Sequence, residues 1–119
     1  MRHKRDIEIA LKIFGKPPHY YHCPHFDKKG RMLAFCICPV LPYYFNTIYA
    51  AWKVHCEMKY SPECRAYARA LQRVVTERMR KYADPPHGVM LSWPDVILLL
   101  EPRDICNAAL EVAVQNETA

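Results

Sequence analysis

The side chains best suited to hold a metal are gathered between positions 19 and 38: His19, His22, Cys23, His25, Cys36 and Cys38. If the chain turns at Asp27 to Gly30 so that Phe26 faces Arg31, strand alternation puts Cys23, His25, Cys36 and Cys38 on one face, with His19 opposite Cys38. Thiolate and imidazole are the ligands of tetrahedral zinc, so these four are the candidate metal ligands. Their spacing argues the other way. Structural zinc sites usually leave about two to four residues between paired ligands, whereas Cys23-x-His25 and Cys36-x-Cys38 leave one. The expectation is a protein without a cofactor, zinc being the metal these residues would suit. Buried free thiols are the simpler reading.

Arginine forms the second concentration. Arg65, Arg69 and Arg73 recur at every fourth residue, Arg80 extends the row, and Arg78 and Lys81 stand beside it. On a helix this spacing defines a face. Guanidinium is planar and presents a fork of donors that matches phosphate or carboxylate. Arg65, Arg69, Arg73, Arg78, Arg80 and Lys81 are therefore the candidate partner-binding residues. Their possible counterparts are an acidic protein surface, nucleic-acid phosphates, or the chain's own acidic end. The last option comes from the charge distribution. Residues 1–83 carry 16 Lys/Arg against 6 Asp/Glu, residues 84–119 carry 1 against 6, and the resulting +10 and −5 sum to the net +5.

Catalytic patterns are missing. His55, Cys56 and Glu57 with Pro62, Glu63 and Cys64 lack the second cysteine that a zinc deaminase needs. His55 and Cys56, adjacent on a helix, point about 100° apart and cannot form a nucleophilic pair. Glycines at 15, 30 and 88 alone exclude a glycine-rich phosphate loop, and there is no Gly-x-Ser-x-Gly elbow. No enzymatic activity is expected.

The elements that must position these residues follow from proline and apolar spacing. A chain of 119 residues suits one core, hence one domain over 1–119. Ile7, Ala10, Leu11 and Phe14 predict a helix over 5–14, closed by Gly15 and then by Pro17 and Pro18. Residues 19–38 predict a β-hairpin whose core side is Tyr20, His22, Phe26, Leu33, Phe35 and Ile37. A helix is predicted over 43–60, burying Phe45, Ile48, Trp52 and Cys56, with Tyr44, Ala51, Val54 and Met58 widening that face. Ser61, Pro62 and Glu63 open another helix, to about residue 82. These two should pack as a central antiparallel hairpin, with Trp52 buried near Leu71 and Val74. Residues 84–88 predict a loop, Ser92 and Asp95 a capping box before a helix through 100, and Pro102 a last helix to about 115. The fold class is mainly α: about five helices and one small β-hairpin, layer-packed around the central helical hairpin.

The longest uncharged stretch, 32–45, carries Pro39 and Pro42 and falls short of the roughly 18 residues a membrane span requires. The charged start lacks a small-residue cleavage site, so a cytoplasmic protein with reduced thiols is expected. The sequence therefore points to a non-enzymatic interaction protein of the phage or mobile-element accessory type. It would dock its basic helical face on an acidic protein surface or a nucleoprotein complex and modulate, or inhibit, that partner. A nucleic-acid-binding protein using the same arginines on phosphates is the alternative, and a small zinc-stabilised module the third reading.

Overall fold

Proline and glycine set most of the element boundaries. The computed structural model describes residues 4–83 and 90–118, with the backbone alone at 21–25, 33–39, 82, 83 and 118. Its order is α1 (Lys4–Lys12), β1 (His19–Phe26), β2 (Met32–Val40), α2 (Ile48–Lys59), α3 (Cys64–Ala83), α4 (Trp93–Leu99) and α5 (Pro102–Thr118). The chain is mainly helical, as its spacing predicts, and the expected loop at 84–88 lies outside the described residues.

Beyond α1, Gly15 takes a positive φ of 66°, open to a residue without a Cβ, and the Lys16 N–H returns to the Ala10 carbonyl at 3.0 Å. At the hairpin tip Gly30 has φ 80°, and its N–H donates to the Asp27 carbonyl at 3.0 Å. The Asp27 carboxylate accepts the N–H groups of Lys29 and Arg31, each at 2.9 Å, and so holds the turn from within. β1 and β2 pair antiparallel with Cys23 opposite Cys36, Tyr21 opposite Cys38 and His19 opposite Val40. This corrects the expected pairing of His19 with Cys38. The difference is taken up near the tip, where Phe26 partners Met32, His25 partners Ala34, and Leu33 is the extra residue. A bulge of this kind slides the ladder without disturbing β1.

α2 begins at Ile48 and not at 43. The N–H groups of Asn46 and Thr47 and the Thr47 hydroxyl all converge on the Tyr43 carbonyl at 3.0 to 3.1 Å, so this segment closes as a turn before the helix starts. The Ser61 hydroxyl donates back to the Met58 carbonyl at 2.9 Å, finishing α2 instead of capping α3. At α4 the Ser92 hydroxyl bonds the Asp95 carboxylate at 3.0 Å and no side chain caps the backbone.

α5 is the centre of the core. It packs against α1, α2 and α3, and Ile105, Cys106, Ala108, Ala109, Leu110 and Val112 on it are buried. α2 contributes Ala50, Ala51, Val54 and Met58, and α3 contributes Tyr67, Ala70 and Leu71. The expected central hairpin of α2 and α3 is thus displaced: each meets α5 more extensively than it meets the other. Alanines on both α2 and α5 let two backbones approach closely, which a face lined by Trp52 would prevent. Trp52 is accordingly 53% exposed, and Ile48 is exposed with it, correcting the expected burial of that face.

The hairpin projects from this helical body. The Cα radius of gyration is 17.6 Å, against about 13.5 Å for a compact chain of this length. Tyr20 and Phe26, expected on a core side, are exposed for that reason.

Candidate interaction surface

The six basic residues predicted to meet a partner lie on α3 in two different situations. Arg78 is turned inward: its Nε and Nη2 donate to Asp104 Oδ1 and Oδ2, both at 2.9 Å, and Nη2 reaches the Leu99 carbonyl at 2.5 Å. Arg73 is ion-paired with Glu111 of α5 and, at 3.5 Å, with Glu77. Arg80 is half-buried and engaged as well. Arg65, Arg69 and Lys81 are exposed and form no ion pair among the described residues. Lys12 of α1 meets Glu117 of α5 at 3.4 Å. The acidic C-terminal segment therefore answers part of the basic excess within the fold, the internal destination that the charge distribution allows.

α2 carries an exposed apolar surface that includes Ile48 and Trp52, two of the residues expected in the core. Tyr49 is 74% exposed and Tyr60, just beyond the helix, 81%; with Ile48 and Trp52 they form an outward apolar face opposite buried Val54. Lys53 sits over the Tyr49 ring at 4.9 Å and Lys59 over the Tyr60 ring at 5.4 Å, the spacing of cation–π contacts. Phe14, Trp52, Lys53, Cys56, Tyr60 and Pro62 border a groove of about 650 Å³. The signal was present in the sequence: the apolar residues of α2 fall on two faces parted by Lys53 and Glu57, and one neighbouring helix covers only one of them.

His55 connects this surface to the core. Its Nδ1 lies 2.8 Å from the Tyr67 hydroxyl, and the Trp52 ring stacks on it at 4.7 Å and 25°. Burial, with a smaller contribution from Lys59, pushes the His55 pKa below its usual value, and burial pushes that of Tyr67 up. Tyr67 therefore donates to a neutral imidazole. The pair links α2 to α3 at their junction.

The side chains of the metal candidates Cys23, His25, Cys36 and Cys38 lie outside the described residues. Their backbone register makes Cys23 and Cys36 direct partners, with His25 opposite Ala34 and Cys38 opposite Tyr21. Among the described residues no group of three or more His, Cys, Asp or Glu side chains is arranged to hold a metal ion. No described helix is long and apolar enough to cross a membrane. No protein family, curated protein or solved structure matches the chain.

Proposed function

We propose that this protein is a non-catalytic interaction protein that docks on an acidic protein surface and modulates that partner. The contact would be made by the outward face of α2, with Lys53 and Lys59 at its edge and the exposed Arg65 and Arg69 of α3 adding to the positive field that steers the partner. The observation carrying this reading is the exposure of Ile48, Tyr49, Trp52 and Tyr60 on or beside one helix whose other side is fully packed. Large exposed aromatics at the centre and mobile cations at the edge are the usual division of labour in protein interfaces. Along α2 the charged residues are Lys53, Glu57 and Lys59, which favours a partner of net negative charge.

The nucleic-acid alternative draws on the same arginines and is weakened by Arg73 and Arg78, which are held by carboxylates of the chain itself. The deciding experiment compares wild type with Tyr49→Ala/Trp52→Ala and Arg65→Glu/Arg69→Glu variants against the partner recovered from the native host. The aromatic pair should abolish binding through faster dissociation, and the arginine pair should slow association. Unchanged affinity in both variants would overturn the proposal. A binding constant for single strands or duplex that falls steeply with salt, with no protein recovered, would favour nucleic acid instead.

A further inference from the structure

Among the described residues the two strands pack chiefly on each other, and an isolated two-stranded hairpin is only marginally stable in water. Its two outer edges are not equivalent. The Asp27 N–H donates to the Arg31 carbonyl at 2.8 Å and so points into the hairpin. Because the extra residue of the bulge lies on β2, alternation continues unbroken along β1: the N–H groups of 25, 23, 21 and 19 point inward, and positions 26, 24, 22 and 20 face out. Pro24 stands at an outward position, where it costs the ladder nothing and removes a donor from the free edge of β1. The residues opposite Pro24, His22 and Tyr20 are Phe35, Ile37 and Pro39. Their main-chain polar groups therefore face the free edge of β2, where Phe35 and Ile37 supply N–H donors and Pro39 ends the row. No charged residue occurs from Met32 to Val40, so this edge lacks the lysines with which sheet edges are normally guarded.

We propose that a second copy of this chain docks on the free edge of β2, antiparallel across a twofold axis, with Phe35 of each copy pairing with Ile37 of the other. An uncharged edge favours an uncharged strand, and β2 is itself one. A charged strand of another protein would find no counter-charge along β2, whereas a second β2 brings none. Antiparallel pairing also carries the charged tips, with Asp27, Lys28, Lys29 and Arg31, to opposite ends of the sheet. The product is a four-stranded sheet in which both outermost strands are β1, each interrupted by Pro24. The assembly therefore closes and offers no regular edge for further growth.

Sedimentation velocity under reducing conditions tests this directly. Wild type should dimerise with rising concentration. In parallel, hydrogen exchange at the Phe35 and Ile37 amides should slow, while exchange in α5 stays as it is. Ile37→Pro deletes an outward donor without removing a bond of the hairpin's own ladder, and should be monomeric with unchanged helical circular dichroism. Ile37→Thr keeps the amide and the β-branch, and should still dimerise. A dimer that disappears on reduction, that survives Ile37→Pro, or that is lost equally in Ile37→Thr would overturn the proposal. So would a wild type that is monomeric at every concentration with both amides exchanging freely, which would leave the edge to a strand of a different protein.

Discussion

Arg78 on α3 closes its guanidinium on Asp104, at the start of α5, through two parallel bonds of 2.9 Å. The same carboxylate accepts the Glu101 N–H at 2.9 Å, the returning half of a capping box, and is 1% exposed. One buried acid thus fastens α3 to α5 and fixes the first turn of the helix on which the core is built. Removing the cation would leave that carboxylate buried without its counter-charge. Arg78→Ala should therefore cost about 3–5 kcal/mol in urea denaturation. Arg78→Lys should recover little of it, because an ammonium cannot span both oxygens. A loss below about 1 kcal/mol for Arg78→Ala would show that water reaches Asp104 and that the junction is held by packing.

Trp52 and Ile105 make the opposite prediction pair. Trp52 is half exposed and belongs to the proposed contact face, while Ile105 is fully buried on α5. Trp52→Ala should change stability by less than about 1 kcal/mol and weaken partner binding, whereas Ile105→Ala should cost about 2–5 kcal/mol. Thermal melts of the two variants side by side distinguish a contact residue from a core residue. A large loss for Trp52→Ala would return α2's outward face to the core.

Why Trp52 misleads a sequence reading is specific to α2. Its apolar residues fall on two faces, one with Ile48 and Trp52, the other with Ala50, Ala51, Val54 and Met58. Large side chains predict the first as buried. Packing against α5 selects the second, since α5 brings Ala108 and Ala109 and the close approach needs small residues on both sides. Nothing local to α2 reveals that α5, distant in sequence, is the neighbour that matters. The helical class, the hairpin and most helix ends were legible because they depend on Pro17, Gly15, Gly30, Pro62 and Pro102, whose effects are local. The fates of the arginines were not: Arg73 and Arg78 share spacing and chemistry with Arg65 and Arg69, and only the placement of Glu111 and Asp104 separates them.

His55 gives a pH dependence of definite sign. Burial lowers its pKa in the folded chain below the ordinary value near 6.5, so from that value down to the folded pKa the unfolded chain binds more protons. Stability should therefore rise with pH across this window, and as pH falls it should be lost from about 6.5 downward, levelling off below the folded pKa. Protonation also removes the lone pair that accepts the Tyr67 hydroxyl. Subtracting the stability profile of His55→Gln from that of wild type isolates the effect. A difference that stays flat between pH 5 and 7.5 would show that the imidazole is free to protonate in place.

The cysteines of the helical body should differ sharply in reactivity. Cys106 is fully buried on α5, its thiol donates to the Tyr44 carbonyl at 3.2 Å, and its pKa is pushed up to about 12, by burial first and by Asp6 second. Only the thiolate is a nucleophile, so at pH 8 this group is both hidden and almost wholly protonated. Cys56 and Cys64 are free and half-buried, on α2 and α3 beside the solvent. Timed alkylation of native protein with iodoacetamide, read by peptide mass spectrometry, should modify Cys56 and Cys64 first. Cys106 should react only at the rate at which the fold opens, and urea should accelerate its labelling in step with unfolding. Arg78→Ala, by loosening the hold of α3 on α5, should speed Cys106 labelling and leave that of Cys56 unchanged. Native Cys106 labelling as fast as that of Cys56 would place α5 at the surface and contradict the core built around it.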